Sequence, residues 1–384
     1  MLPAQRHRQW LTTLLLMFGG MAVVALAVGW FAQHRALDAE SAQVQRQLQL
    51  YAQALQQRVD RFGTLPRVLA LDPELREALR TPSTPDQQLA LNLKLQRAND
   101  VTRSSTLTLI DHRGIAVAAS NWDQPTSNVG ENYSYRPYVT EALSRGSGSF
   151  YGIGMTTGVP GYFLSEAVRD DDGRVLGVIA IKIELAALEQ EWLQSPDIVF
   201  VTDTHGAVFL ANHDAWRYRL LRPLAADEHA EMLATRQFAD RDLKPVQLSV
   251  RERLEDGGRL VELQQPAIAG TTLWQTADLP RLHWQVHLLH DAGGTSSAGR
   301  SAALAAAGIW AALCLLVLFI QQRMRLARHR QRSRRELENL LKQHAEELRT
   351  AQDGVLKAAQ SADSGLSRSL EHLPQGVVVI DGDL

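Results

Sequence analysis

The chain has 384 residues, with 40 Lys and Arg against 42 Asp and Glu and a formal net charge of −2. That balance excludes the basic excess typical of general nucleic-acid binding, and 45% hydrophobic with 21% charged residues excludes a wholly disordered chain. A single cysteine, Cys314, excludes an intrachain disulfide, a cysteine-rich zinc site and a CxxC redox pair.

Charge is unevenly spread. Gln9 to His34 contains no Asp, Glu, Lys or Arg, and its centre is rich in Leu, Met, Ala, Val and Gly with a Trp near each end. Ser301 to Gln322 is free of the same charges. A bilayer core takes ~20 apolar helical residues, so residues 10–32 and 301–321 are expected to span a membrane. The first run is much longer than the ~7–15-residue core of a cleaved signal peptide. Arg6 and Arg8 precede the first span. After the second come Arg323, Arg325, Arg328, Arg330, Arg332, Arg334 and Arg335 before the first acid, Glu336. Positive flanks stay cytoplasmic, which predicts a multi-pass protein with residues 1–9 and 322 onward inside and Arg35 to Arg300 outside.

Beyond the first span, Leu37, Val44, Leu48, Tyr51, Leu55, Val59 and Phe62 recur at helical spacing, predicting a stalk helix continuous with the span. Gly63 and Pro66 end it, and a second helical run, Leu89 to Val101, follows Pro85. Strand patterns then dominate: Thr106 to Ile110, Ile115 to Ala119, Gly148 to Ile153, Gly161 to Val168 and Val175 to Ile183, followed by a short helix, Leu185 to Leu193. Asp111-His-Arg-Gly114 joins the first two strands, and the Asp-x-x-Gly pattern predicts a tight turn in which Asp caps the backbone and Gly takes positive φ. The same strand–turn–strand returns at Ile198 to Thr202, Asp203-Thr-His-Gly206 and Ala207 to Leu210, with the two Asp 92 residues apart. Further strands are expected at Val246 to Leu254, Arg259 to Gln264, Thr271 to Thr276 and Leu282 to Leu289. The repeat predicts duplicated modules, and antiparallel strands with segregated helices predict an α+β class.

Four strings carry a family resemblance: Leu109 to Trp122 (LIDHRGIAVAASNW), Val129 to Tyr138 (VGENYSYRPY), Gly158 to Ser165 (GVPGYFLS) and Leu176 to Ile183 (LGVIAIKI). They resemble the extracytoplasmic sensor of bacterial C4-dicarboxylate sensor histidine kinases, over roughly Leu37 to Asp291. The resemblance implies a double Cache fold, two tandem PAS-like modules. The expected organisation is a stalk helix with a membrane-distal module at 33–192, a membrane-proximal module at 193–298, a coiled-coil linker at 322–366 and the opening of a PAS domain at 367–384. It also implies a bacterial inner membrane location with the sensor in the periplasm.

A small dicarboxylate needs two anion sites close together. Arginine presents a planar fork to a carboxylate and lysine a point charge. Arg136 sits in a Tyr-rich loop, and Lys182 stands in an otherwise apolar strand, where it must reach a polar cavity or solvent. The resemblance maps Tyr133, Arg136 and Lys182 onto residues that hold the ligand, with Tyr138, Thr156 and Thr157 beside it and Tyr162 and Ser165 as wall residues. The chain carries Gly154-Met155-Thr156 where many relatives have Gly-Thr-Thr. That departure leaves succinate, fumarate or malate, another carboxylate or an amino acid open.

Other signals carry less. Asp170-Asp-Asp-Gly173 lacks the later ligands of a calcium loop and reads as a hairpin turn. His283, His287 and His290 read as strand histidines rather than metal ligands, the first two sharing a face. Leu341, Leu348 and Val355 lie seven apart, predicting a short parallel coiled coil and hence a homodimer. His344 lacks the context of a phosphoacceptor box. The chain is expected to be truncated one strand into the PAS-like segment, so the histidine kinase domain implied by the resemblance, with its ATP, Mg and response-regulator partner, lies outside it. No cofactor or metal is expected within the chain. A chemoreceptor or cyclic-dinucleotide output, or a binding-only co-receptor touching a dicarboxylate transporter, are the alternatives.

Overall fold

A computed structural model describes residues 3–239 and 241–371. The chain forms two compact units: one is Ala27–Ala303, and the other combines the two chain ends, up to Leu26 and from Leu304. The PAS-like segment from 372 lies outside the described residues.

The Ala27–Ala303 unit begins in α1 (Pro3–Gly63) and continues through α2 (Leu65–Leu69), α3 (Pro73–Arg80) and α4 (Pro85–Thr102). The helix starts follow local chemistry. The Asp72 carboxylate accepts from the Glu74 and Leu75 amides ahead of Pro73, and Thr84 and Gln87 form a capping box around Pro85. A first antiparallel sheet follows: β1 (Thr106–Asp111), β2 (Ala116–Ala119), α5 (Pro137–Arg145), β3 (Ser147–Ile153), β4 (Pro160–Arg169) and β5 (Val175–Ile183), closed by α6 (Ala186–Trp192). A second set comprises β6 (Ile198–Thr202), β7 (Val208–Ala211), a 3₁₀ turn (Asp214–Trp216), β8 (Arg219–Leu220), α7 (Ala226–Ala234), β9 (Lys244–Pro245), β10 (Gln247–Arg253), β11 (Arg259–Gln265), β12 (Thr272–Leu279) and β13 (Trp284–Asp291), before α8 (Gly293–Glu371). Mixed helix and sheet, the expected class, is what the chain builds. Helices α2, α3, α5 and α7 are additions to the sequence reading.

The first sheet has the order β2-β1-β5-β4-β3. Read from β7, the second runs β7-β6-β13-β12-β11-β10, the same order with one further edge strand. The turns repeat as well. Asp111 Oδ1 accepts from the Arg113 and Ile115 amides, each at 2.9 Å, and Asp203 Oδ1 accepts from those of His205 and Ala207 at 3.0 and 2.9 Å. Gly114 and Gly206 take φ of +86° and +76°, which explains the glycine in each string. Even the closing hydrogen bond recurs: Ser120 Oγ accepts from Leu107 N, and Asn212 Oδ1 from Val199 N, both at 2.9 Å.

One apolar core runs under α1. Val44, Leu48, Leu55, Val59 and Phe62 of the helix share it with Leu107, Leu109, Ile179 and Ile181 of the first sheet and with Val199, Val201, Val286 and Leu288 of the second. Polar ties fix α1 to the second module. Ser41 Oγ donates to Asp256 at 2.7 Å and accepts from Gln275 Nε2 at 2.7 Å. His290 stands between Glu40 and Asp197 at 2.9 and 2.7 Å. His283 falls outside the strand on which it was expected to share a face with His287, though both border one groove. His283 lies before β13 with φ of +57°, while His287 is buried against Thr202, Trp274 and Thr276.

In the other unit, α1 and α8 each carry a stretch long and apolar enough to cross a membrane. Trp310 packs on Gly20, where a Cβ would stand 2.6 Å from the indole, and its Nε1 donates to the Met17 carbonyl at 3.0 Å. The heptad residues Leu341, Leu348 and Val355 are exposed in the single chain.

The His290 bridge sets a pH dependence. Burial pulls the His290 pKa down, but the Asp197 and Glu40 carboxylates outweigh it and leave it above the ordinary 6.5. A raised histidine contributes its stability below the unfolded pKa and loses it as pH rises through the folded value. Unfolding midpoints of the wild type should therefore fall as pH rises from about 6.5 into the raised range, and His290→Gln should flatten that slope. An equal slope in the variant would refute the bridge as its source.

Candidate functional site

The sheet face opposite α1 holds a small, largely enclosed cavity. Strand alternation decides who reaches it. On β1, Leu107 and Leu109 enter the core under α1, leaving Thr106 and Thr108 for the cavity. Register pairs Thr106 with Lys182 and Thr108 with Ala180, and Lys182 with Phe163, so these five share one patch. The loop before α5 supplies Asn128, Tyr133 and Arg136, α5 supplies Tyr138, and the β3–β4 loop supplies Gly154, Met155, Thr156 and Thr157. The space open to the centre of a water-sized sphere is about 20 Å³, room for little more than one water.

Two cations dominate the site, and both are buried, Lys182 at 4% and Arg136 at 1% exposure. Lys182 Nζ donates to Thr157 Oγ1 at 3.0 Å, and the half-exposed Glu184 carboxylate lies 3.7 Å away. Burial lowers the Lys182 pKa below its ordinary value, with Glu184 opposing the shift. Glycines make room for the side chain. A Cβ on Gly154 would sit 3.2 Å from Nζ, and one on Gly161 would sit 2.6 Å from Cε.

Arg136 is the residue before Pro137, which opens α5 and holds Arg136 in extended backbone. Its guanidinium lies 5.6 and 5.5 Å from the Tyr135 and Phe150 ring centroids. Nη2 donates to the Ile153 carbonyl at 2.6 Å, and Nη1 to the Thr235 and Arg236 carbonyls at 3.2 and 3.3 Å. The last two belong to the second module. Among the described residues no carboxylate pairs with Arg136. A Cβ on Gly152 would meet Nη1 at 3.1 Å, so this glycine too is a matter of space. The same contact region continues through the Ile153 amide, which donates to the Gln237 carbonyl at 2.9 Å. Gln237 Nε2 in turn donates to Asp203 Oδ2, at 3.0 Å, in the second module's turn.

Hydroxyls and amides line the remainder. Thr156 Oγ1 donates to Asn128 Oδ1 at 2.7 Å, and Asn128 Nδ2 donates to Thr108 Oγ1 at 2.9 Å. Burial pushes the Tyr133 phenol up to about 12 and the Tyr138 phenol further still, so both stay protonated hydrogen-bond donors at neutral pH. Tyr138 stacks on Phe163 at 4.9 Å.

Of the eight residues expected at the site, Tyr133, Arg136, Tyr138, Thr156, Thr157 and Lys182 line the cavity and two do not. Tyr162 is one residue out of step with Phe163, so its ring leaves the opposite face and meets Trp284 of the second module edge-on at 4.7 Å. It forms an inter-module aromatic cluster with Tyr151 and Phe209, whose tilted rings lie 4.0 Å apart. Ser165 shares the cavity face but lies under α5, donating to the Tyr138 carbonyl at 2.6 Å and so positioning that helix. Sequence reasoning missed Thr106, Thr108, Asn128, Phe163 and the three glycines. The two threonines alternate on β1, a signal open to a register argument.

No family model matches the chain. It is 31% identical over 364 residues to the C4-dicarboxylate transport sensor protein DctB of Rhizobium meliloti, covering 92% of this chain and 57% of that protein. It is 32% identical over 233 residues to the DctB protein of Pseudomonas aeruginosa, covering 61% of this chain and 38% of that protein. The chain thus spans about half the length of the curated relatives it matches. Among solved structures, the V. cholerae histidine kinase DctB sensor domain superposes with a TM-score of 0.60 at 24% identity, over 66% of this chain and 98% of that one. The periplasmic domain of RsbU from Chlamydia trachomatis superposes at 0.51 and 16% identity, over 68% and 96%. The two structures share the fold, and the sequence relatives bear out the resemblance read from the residue strings.

A buried ammonium whose desolvation outweighs its one half-exposed counter-ion, as the lowered Lys182 pKa indicates, is a stability defect that an apolar side chain of similar length relieves. Lys182→Met should therefore raise the unfolding midpoint of the ligand-free protein. The gain should be present at neutral pH and shrink as pH climbs through the lowered Lys182 pKa toward 10.5, because the wild type then sheds the buried charge. Urea unfolding across that range checks it, and a lower midpoint for the variant would refute the account.

Proposed function

We propose that this chain, the N-terminal portion of a DctB-like sensor, binds a small C4-dicarboxylate-like molecule in the cavity between Arg136 and Lys182 and passes the event across a membrane. The observation that carries this reading is the convergence of two buried cations on one polar cavity, Arg136 with no carboxylate partner among the described residues and Lys182 with only the half-exposed Glu184 at 3.7 Å. A dicarboxylate supplies the partner that Arg136 lacks and a second, enclosed one for Lys182. Lys182 and Thr157 take one carboxylate, Arg136 the other, and the Tyr133 hydroxyl and Asn128 amide fix the orientation by hydrogen bonds.

The cavity is too small for such a ligand as it stands, so binding moves its walls. The 154–159 loop, which carries Met155 and Thr157, is the wall that would move, and Arg136 would leave the Thr235 and Arg236 carbonyls that hold it from behind. In this mechanism Arg136 exchanges those neutral carbonyls for a ligand carboxylate, the stronger acceptor. The freed 235–237 segment then acts on the second module through Gln237 and Asp203. The ligand thus shifts a two-state equilibrium by the difference in its contacts to each state.

The wider assignment rests on the same resemblance. Residues 33–192 and 193–298 form the membrane-distal and membrane-proximal modules of a double Cache sensor in the periplasm. Residues 10–32 and 301–321 cross the inner membrane, and residues 1–9 and 322–366 are cytoplasmic. The helical linker pairs in a homodimer and regulates a histidine kinase domain of the full-length protein, which uses ATP and Mg and transfers phosphate to a response regulator. A dicarboxylate transporter is a further partner suggested by the relatives' name.

Isothermal titration of the full chain in detergent with succinate, fumarate and malate tests the site. At least one should bind. Arg136→Lys and Lys182→Met should each weaken it by about 10–100-fold, the cost of one charge-assisted hydrogen-bond set. Unchanged affinity in both variants, or no binding by any of the three, would remove the pocket assignment.

The transmission step has its own test. Gln237→Ala should leave dicarboxylate affinity within about threefold. It should also abolish the ligand-induced change in amide hydrogen exchange around the Asp203–Gly206 turn that the wild type shows. A retained change at that turn would sink the route.

A further inference from the structure

We propose that the second module carries a separate anion-binding groove, in which Arg253 and Arg259 grip the carboxylate of a small molecule with an apolar body. The groove is larger than the first cavity, about 770 Å³ by the same measure, and lies toward the turn end of the second sheet.

Arg253 and Arg259 face each other across the β10–β11 ladder. Like charges directly opposite on paired strands repel, so this pairing has a cost that a bound anion removes. Among the described residues neither arginine has a carboxylate within ion-pair distance. Arg259 is half-buried, with its guanidinium carbon 5.0 Å from the Trp274 ring centroid, a cation–π contact that restrains its side chain. The groove's acids are otherwise engaged. Asp203 accepts from turn amides and Gln237, and Asp278 accepts from Gln285 Nε2 at 2.8 Å. Its third arginine, Arg222, is neutralised by Glu228 at 2.6 Å. The Asp203 and Asp278 carboxylates keep their charge, but neither pairs with Arg253 or Arg259, so the unpaired positive charge of the groove is concentrated at the opposed arginines. Trp274, Trp284, Leu248 and Leu279 supply apolar lining, which favours an organic anion over a bare oxyanion.

This groove is not the duplicate of the first cavity. Register aligns Thr108 and Ala180 with Phe200 and His287, and Lys182 and Phe163 with Leu289 and Trp274. In the second module those positions form a packed cluster, with Phe200 stacked on Trp216 at 4.7 Å. The groove borders that cluster, taking Trp274 and His287 as one wall, and opens past Thr276 and His283 toward the turn end.

The test uses the full chain in lipid nanodiscs, labelled with 5-fluorotryptophan, with the Trp274 resonance assigned by Trp274→Phe. Benzoate is the carboxylate probe and inorganic phosphate the bare oxyanion. Benzoate should shift the Trp274 resonance saturably, in the wild type and equally in Lys182→Met, which disables the first cavity. Arg253→Gln with Arg259→Gln should raise the half-saturating concentration at least tenfold. The anion-free unfolding midpoint of that variant should be unchanged or higher, since the repulsion is gone. Should the double variant fail to fold, Arg253→Gln alone, at an exposed position, must weaken binding. No saturable shift, a shift insensitive to the arginine variants, or one lost in Lys182→Met would overturn the proposal. Phosphate matching benzoate would overturn the assigned ligand class.

Discussion

Two positive charges buried where water cannot solvate them shape the first module. Removing a charge from water is expensive, and a protein tolerates it where partners are fixed in place or where a ligand completes the site. Lys182 has a threonine hydroxyl and a half-exposed glutamate 3.7 Å away, and Arg136 has three backbone carbonyls. Much of the local sequence serves that arrangement. Gly161 is small because the Lys182 stem occupies the volume of its side chain, and Gly152 and Gly154 because Phe150 and Arg136 crowd the one and Thr157, Val159 and Lys182 the other. Pro137 is placed so that α5 starts immediately after Arg136.

The duplication sharpens the point. Apart from one further edge strand in the second, both sheets share strand order, Asp-capped turns and closing hydrogen bonds, so the backbone around the matching positions is alike. The side chains at matching positions do. Threonines, alanine and lysine line the cavity in one sheet, whereas phenylalanine, histidine and leucine fill the same face in the other. His287 marks this difference. Burial, with Arg259 adding to it, lowers its pKa to about 3, so it is a neutral hydrogen-bonding spacer at neutral pH. One copy of the repeat thus keeps a polar hollow and the other spends the same space on packing.

Most of the strands were legible because period-2 runs ended in Asp-x-x-Gly or Gly-rich turns, signals that depend only on neighbouring residues. The stalk was legible from its apolar spacing. Helices α2 and α3 were not, being too short for periodicity to register against Pro-rich surroundings. The site was legible in its charged members, since a lysine in an apolar strand has few innocent explanations. It failed at Tyr162 because the face a strand residue takes is set by register, and a one-residue slip reverses it. Thr235, Arg236 and Gln237 were beyond reach, because their contact with Arg136 joins segments about a hundred residues apart and uses backbone atoms that any sequence would supply.

That long-range contact also constrains how occupancy of the cavity could be felt elsewhere. The two modules meet at Arg136 with the 235–237 segment and at the aromatic cluster of Tyr151, Tyr162, Phe209 and Trp284. Helix α1 packs on both sheets through one continuous core, and Glu40 and Ser41 bind it to the second. Close-packed interfaces of this kind do not deform smoothly; they repack between discrete arrangements. A rearrangement at Arg136 that shifts one sheet against the other must therefore alter the surface on which α1 rests, and α1 is the element that continues without a break into the apolar stretch suited to a membrane.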